Sequence, residues 1–185
     1  MSTLGKLLNA NEGCMNLSIF SQIECFSFRG TKFTLDPLLI VVVLLWMASA
    51  TNLPFVAALL GVASYLFIIT MHEFGHALAS WACRVPVYSV NLHWFGGSCS
   101  HGRAKSHHNR AFIASGGILM QLLIAATTSL VLELIAPSIY SVVLFKYLVG
   151  VNLFIAAFNL LPIPSLDGYS IFKYLKAEYK RRRYK

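Results

Sequence analysis

The sequence predicts an all-α integral membrane protein, with four transmembrane helices and a short β-hairpin-like loop between the second and the third. Hydrophobic residues make up 57% of the chain and charged residues only 12%, a balance far from that of a soluble domain. The apolar residues also cluster into stretches long enough to cross the hydrocarbon core of a bilayer. With 185 residues, the chain is expected to form a single domain.

Two of the predicted spans lie within one long apolar run and are separated by the turn sequence Thr51-Asn52-Leu53-Pro54. Pro54 fits the start of the second helix, where its missing N–H group does no harm. The other two spans are separated by Pro137-Ser138. The four predicted spans are residues 33–50, 54–83, 111–136 and 139–161.

The membrane domain is predicted to cover residues 35–168. Residues 1–34 mix polar and basic residues with scattered apolar ones, so we expect a segment lying on the membrane surface. Residues 169–185 form a basic tail that contributes most of the net charge of +8. This tail is expected to attract anionic lipid headgroups or simply to enforce topology. A nucleic-acid partner is not expected.

The distribution of Lys and Arg predicts the orientation of the chain. Three basic residues precede the first span, four lie between the second and third spans, and seven follow the fourth, whereas the two short turns carry none. By the positive-inside rule, both termini and the loop after the second span are cytoplasmic. We therefore predict a multi-pass protein of the cell (inner) membrane.

The loop between Arg84 and Arg110 begins with an alternating pattern, in which every second residue from Tyr88 to Trp94 is apolar. Such alternation is typical of a strand, and here it runs into Phe95-Gly96-Gly97. An exposed strand edge could dock another extended chain. A hairpin that only caps the helices is the equally open alternative.

The second predicted span contains His72-Glu73-Phe74-Gly75-His76, which has the pattern HExxH. Histidines at positions i and i+4 lie on one face of a helix, so both rings can bind one zinc ion. Glu73 can then act as general base towards a water that the metal activates. Ionisable residues inside a membrane span are costly, which argues against a role in packing alone.

Two histidines leave a catalytic zinc ion one protein ligand short. The chain has only seven Asp and Glu residues, and Asp167 follows the end of the fourth span. Pro162 and Pro164 prevent the helix from continuing, while Gly168 permits a tight turn. The segment is therefore expected to bring Asp167 back towards the histidine pair, completing a site for one zinc ion per chain.

These motifs resemble those of the site-2 protease family of intramembrane zinc metalloproteases. The HExxH sequence, Leu166-Asp167-Gly168 with Asn159 upstream, and the glycine pair after Phe95 all match the family pattern. The resemblance implies a site-2 protease core in which His72, His76 and Asp167 bind zinc and Glu73 is the general base. It also implies that Asn159 contacts and orients substrate or orients the zinc site, and that Phe95, Gly96 and Gly97 contact substrate.

The third span departs from the family in one respect. The family commonly has Gly-Pro followed by Asn, whereas this chain has Gly116-Gly117 and then Met120-Gln121. The resemblance nevertheless implies regulated intramembrane proteolysis of single-span membrane proteins or signal-peptide remnants. A homo-oligomer is compatible with the sequence.

Two other functions remain open at this point. A membrane adaptor or transport component could retain the metal motif without activity. A membrane di-iron oxygenase would need about eight histidines in several boxes, whereas this chain has six histidines and lacks the HxxHH box. The remaining four, His93, His101, His107 and His108, are interpreted as residues of the aqueous loop.

Overall fold

The computed structural model describes residues 22–94 and 96–183. This part of the chain contains four strands and five helices. In chain order they are β1 (Ile23–Phe28), β2 (Thr31–Leu35), α1 (Pro37–Ser49), α2 (Phe55–Ala82), β3 (Val87–His93), β4 (Gly96–His101), α3 (His107–Glu133), α4 (Ile139–Asn159) and α5 (Asp167–Arg183).

The all-α prediction is wrong, because the four strands form one mixed sheet in the order β1-β2-β3-β4. β1 and β2 are antiparallel, and the two residues between them, Arg29 and Gly30, both have positive φ angles. Two such residues form the tight turn that suits a twisted hairpin. Residues 22–34, predicted to lie on the membrane surface, thus belong mainly to this hairpin. Residues 1–21 of that predicted segment lie outside the described part of the chain.

The prediction of four transmembrane helices is also wrong. Within the described residues, three helices are long and apolar enough to cross a membrane: α2, α3 and α4. The predicted first span is divided between β2 and α1, which has only 13 residues and a length of about 20 Å. Asp36 explains the boundary, since its side chain accepts a hydrogen bond from the Leu38 amide and Pro37 occupies the first helical turn.

The predicted strand after the second span is present as β3. It lies inside the sheet, parallel to β2 on one side and antiparallel to β4 on the other. Its N–H and C=O groups are therefore used by its neighbours. Among the described strands, the free edges belong to β1 and β4, so a chain docking beside α2 would meet β4.

Close packing of α2 against α3 places the second and third predicted spans side by side. Gly75 and Gly116 lie against each other at this crossing, and a Cβ atom on either residue would overlap the backbone carbonyl group of the other. Small residues that let two backbones approach in this way are typical of helix contacts in membranes. The crossing fixes the face of α2 that carries both histidines against α3.

The chain reverses direction after α4. Helical structure ends at Asn159, and α5 begins at Asp167 after a segment containing Pro162 and Pro164. Gly168 lies so close to the Leu160 carbonyl that a Cβ atom could not be accommodated there. This tight return, which the sequence predicted, places Asp167 at the start of a helix that packs against α3.

Candidate metal centre

His72, His76 and Asp167 converge on one point between α2 and the start of α5. The Nε2 atoms of the two histidines lie 3.1 Å apart. Asp167 Oδ2 lies 3.3 Å from each of them. Both histidines are buried, with 7% and 8% of their surfaces exposed. The structure therefore brings together the three residues that the sequence analysis proposed as ligands.

The spacing of these atoms fits a tetrahedral metal ion. Zinc binds histidine nitrogen and carboxylate oxygen at about 2.0–2.2 Å, so two ligands of one tetrahedral ion are separated by ~3.3–3.5 Å. The three observed separations lie close to that range. Asp167 Oδ2 is also buried and has no hydrogen-bond donor in the described part of the chain. A cation would satisfy this oxygen, so the donor set fits zinc.

Hydrogen bonds to the far side of each ring orient the histidines. His76 Nδ1 lies 2.8 Å from the backbone oxygen of Ile113, and because a carbonyl can only accept, this nitrogen carries the proton. His72 Nδ1 lies 3.0 Å from Oε1 of Gln121. Both bonds leave Nε2 as the nitrogen with a free lone pair, which is the state that a metal requires.

Gly117 on α3 makes room for both rings. A Cβ atom on this residue would stand 2.6 Å from His72 Cε1 and 2.6 Å from His76 Nε2. Real Cβ atoms do not approach neighbours so closely. The backbone of α3 thus forms one wall of the metal site, and only glycine fits at this point.

Glu73 is buried beside the ligands and faces the same cavity, which has a volume of about 760 Å³. Its carboxylate lies against Gly97 on β4, where a Cβ atom would stand 2.7 Å from Oε1. The cavity also reaches His72, His76 and Asp167. A carboxylate that shares a cavity with three ligand atoms can exchange a proton with a water molecule held there.

The four residues predicted to contact substrate are placed as follows. Asn159 Nδ2 lies 3.4 Å from His72 Nε2. Gly96 and Gly97 line the same cavity as Asn159. Phe95 lies outside the described residues. The positions of Asn159 and the two glycines are compatible with the predicted role, which remains a prediction.

Cys99 on β4 also lines the cavity but is not part of the candidate ligand group. Burial, together with the negative charge of Glu73, raises the pKa of the Cys99 thiol to about 12. A thiol attacks a carbon atom as the thiolate, and almost none is present near pH 7 in the metal-free protein.

The loop histidines do not form a second metal cluster in the described part of the chain, where the group of His72, His76 and Asp167 is the one candidate found. His93 lies near Ser98 and Asp36, and His101 lies 2.9 Å from the Gly102 carbonyl oxygen. The arrangement therefore offers no support for a di-iron oxygenase.

Sequence reasoning missed three contributions from α3: the Ile113 carbonyl, Gly117 and the side chain of Gln121. From the sequence alone, Gln121 is a departure from a family pattern, and whether it replaces the usual Asn stays open. Its presence as a polar residue within an apolar span was the signal that could have identified it. The other two contributions depend on backbone atoms whose positions follow from the packing of α2 and α3.

Comparison with known proteins finds similarity both in sequence and in structure. The chain is 28% identical over 121 residues to a candidate zinc metalloprotease of Synechocystis sp., and the match covers 65% of this chain. It spans about a third of the length of that relative, namely 32%. No family model matches the chain.

Among solved structures, the chain is similar to the site-2 protease from Methanocaldococcus jannaschii, with a TM-score of 0.65 and 19% sequence identity. The match covers 85% of this chain and 73% of that protein. The chain therefore has the fold of a site-2 protease. The resemblance to the site-2 protease family, first seen in the motifs, thus extends to the fold.

Proposed function

We propose that this protein is a zinc-dependent metalloendopeptidase of the site-2 protease type, which hydrolyses peptide bonds of membrane-spanning substrates. The observation that carries the proposal is the convergence of His72, His76 and Asp167 at separations that suit one zinc ion, with Glu73 in the same cavity. The fold and the sequence relative agree with it.

The chemistry divides between the metal and the protein. When bound, zinc supplies Lewis acidity and lowers the pKa of a water molecule. Glu73 accepts a proton from that water and later delivers it to the departing amine. The Asn159 side-chain amide, beside His72, can donate a hydrogen bond to the substrate carbonyl oxygen. His72, Glu73 and His76 are buried, and the low local dielectric strengthens each of these interactions.

The substrate must be extended at the site of cleavage, because a helix hides its peptide bonds within its own hydrogen bonds. β4 is the described strand with a free edge that lines the cavity. We propose that an unwound substrate segment pairs with this edge, which places its backbone beside Glu73. Single-span membrane proteins and signal-peptide remnants are the corresponding substrate classes.

Within the membrane, we propose that both termini and the β3–β4 loop face the cytoplasm. β2 pairs with β3, so the residues before α1 lie on the same side as the loop after α2. Although α1 is too short to cross the membrane by itself, we propose that the chain leaves this side through β2 and α1 together and returns to it through α2, in agreement with the distribution of Lys and Arg. The basic end of α5 would then lie at the cytoplasmic surface. There its last turn, with Lys180 and three arginines, can bind anionic headgroups.

The test is co-expression of the protein with candidate single-span substrates, comparing the wild type with the Glu73→Gln variant and sequencing the new termini. The wild type should produce chelator-sensitive fragments with termini inside the predicted span. Glu73→Gln should produce none while still containing zinc, because its amide cannot accept the proton. Cleavage by Glu73→Gln at the wild-type rate would show that Glu73 is not the base.

A zinc-loaded wild type that cleaves no substrate in this screen would instead favour the adaptor function.

A further inference from the structure

Two polar side chains are completely buried between α3 and α4, in the apolar part of the molecule. Gln121 and Asn152 each have 0% of their surface exposed. Polar groups at such depth in a membrane protein are costly and need a compensating interaction. Neither residue faces the cavity that contains Glu73, so direct contact with substrate does not account for them.

The hydrogen bonds of Gln121 indicate what it does. Within the described residues, its side chain makes one hydrogen bond, in which Oε1 accepts from Nδ1 of His72 at 3.0 Å. Its Nε2 group is buried and has no acceptor there. A residue that served only to hold two helices together would be expected to direct its amide towards a neighbouring helix backbone. Gln121 instead directs its acceptor at a metal ligand.

Asn152 holds the backbone of Gln121 in place. Its Nδ2 group donates to the Gln121 backbone oxygen at 2.8 Å and to the Leu148 oxygen at 3.1 Å. Asn152 directly follows a π-helical stretch, Phe145–Val151, within α4. A π-helical turn contains more residues than an α-helical turn and so rotates the residues after it around the helix axis. This local irregularity turns Asn152 towards α3.

We propose that Gln121 is a positioning residue for the metal centre, and that Asn152 and the π-helical stretch support it. Gln121 Oε1 holds the proton of His72 on Nδ1 and fixes the ring plane, so that Nε2 faces His76 and Asp167. The inference rests on the proposed function insofar as that function places zinc at His72. It goes further by assigning a role to two residues outside the cavity.

The experiment measures the zinc affinity of the whole 185-residue chain in lipid nanodiscs by competition with a chromophoric chelator. Gln121→Leu, which removes the acceptor, should bind zinc about 10–100-fold more weakly than the wild type. Gln121→Glu keeps an oxygen acceptor and should stay within a few fold of the wild type. Asn152→Leu should give a smaller loss, because the Gln121 side chain remains. Ser129→Ala is the control, since the Ser129 hydroxyl on α3 donates to the Ala125 carbonyl oxygen of the same helix.

A second measurement separates positioning from stability. Thermal unfolding of the metal-free protein reports the stability of the fold without zinc. By contrast, ¹⁵N NMR of histidine-labelled wild type reports which ring nitrogen of His72 carries the proton. We expect the proton on Nδ1. A proton on Nε2 of His72, or wild-type zinc affinity in Gln121→Leu, would overturn the inference, and the NMR result stands even if that variant does not fold.

The outcome is independent of proteolysis, because no substrate is added. Suppose that the wild type binds zinc, that Gln121→Leu binds it more weakly, and that the wild type cleaves no membrane protein. This result would contradict the proposed function and leave the inference about Gln121 standing. Wild-type affinity in Gln121→Leu together with normal cleavage would contradict the inference alone.

Discussion

Gly97 on β4 lies directly against the carboxylate of Glu73 on α2. A Cβ atom on Gly97 would stand 2.7 Å from Glu73 Oε1 and 2.8 Å from its Cδ. The sheet thus fixes one side of the proposed base, and a glycine is required because the strand backbone approaches so closely. This contact joins two parts of the molecule that were predicted separately from the sequence, namely the HExxH helix and the loop that follows it.

Gly97→Ala is therefore predicted to displace Glu73 without disturbing the ligands. We expect cleavage to slow at least ~10-fold, equivalent to about 1.4 kcal/mol in the barrier, while zinc content stays at the wild-type level. Rate and zinc content are measured on the same preparation. Ser100→Ala is the matched control, since Ser100 is an exposed residue of the same strand, and it should cleave normally. Normal cleavage by Gly97→Ala would show that Glu73 does not need its observed position.

Gly117→Ala is predicted to impair the metal site itself. The added methyl group would overlap both histidine rings, so we expect zinc affinity to fall at least ~10-fold and activity to fall with it. Gly150→Ala is the control, because a Cβ atom on Gly150 in α4 would meet nothing within 4 Å. Chelator competition measures both variants. Equal affinities for the two would show that the rings do not occupy the face of α3 described above.

Asp167→Ala is predicted to weaken zinc binding by more than ~100-fold, because it leaves two protein ligands where a zinc site of this kind needs three. Glu178→Gln removes a carboxylate from the same helix, where Glu178 bonds to Arg181 and Arg182 at the surface. This control should retain both zinc and activity. Zinc content, read by elemental analysis, distinguishes the two variants. Full zinc occupancy in Asp167→Ala would mean that the third ligand lies elsewhere.

The thiol of Cys99 provides a pH-dependent reporter of Glu73. Because the pKa of this thiol is raised to about 12, alkylation of metal-free protein in which Cys99 is the sole cysteine should be slow at pH 8. It should then increase about tenfold per pH unit without a plateau below pH 11. Glu73→Gln removes a negative charge, so it should lower the pKa and speed the reaction at a given pH. Protein with Cys25 alone, which is exposed, is the reference for reagent reactivity. A plateau below pH 9, or no effect of Glu73→Gln, would contradict the placement of the two groups.

Local patterns in the sequence were sufficient to predict the three long helices. The predicted spans 54–83, 111–136 and 139–161 differ by a few residues from α2, α3 and α4, because length and apolar character alone identify a helix that can cross a membrane. The convergence of His72, His76 and Asp167 could also be predicted. The i, i+4 spacing places two histidines on one face, and the prolines before Asp167 force the chain to leave the helix.

The sheet was missed because its central pairing is not local. Lys32 in β2 lies beside Ser89 in β3, and nothing within residues 31–35 indicates that partner. The apolar residues of β2 merge with those of α1 in the sequence, so the two elements were interpreted as one helix. Asp36-Pro37 was a usable boundary signal, since it combines a helix-capping side chain with a proline suited to the first turn. Arg29-Gly30 was the corresponding signal for the hairpin.

The support around the ligands could not be predicted, because it arises from contacts between helices. Gly117 is required because the backbone of α3 meets both histidine rings there. Asn152 faces α3 because it follows a π-helical stretch, which no local sequence pattern predicts. Such features depend on helix rotation, which a hydropathy profile does not determine.

The central claim is that one zinc ion is held by α2 and the start of α5. Anomalous diffraction at the zinc absorption edge, from crystals of protein purified without chelator, tests it most directly. We predict a single peak within about 2.0–2.2 Å of Nε2 of His72, Nε2 of His76 and a carboxylate oxygen of Asp167. A peak at another group of residues, or no peak in protein that cleaves its substrate, would contradict the account.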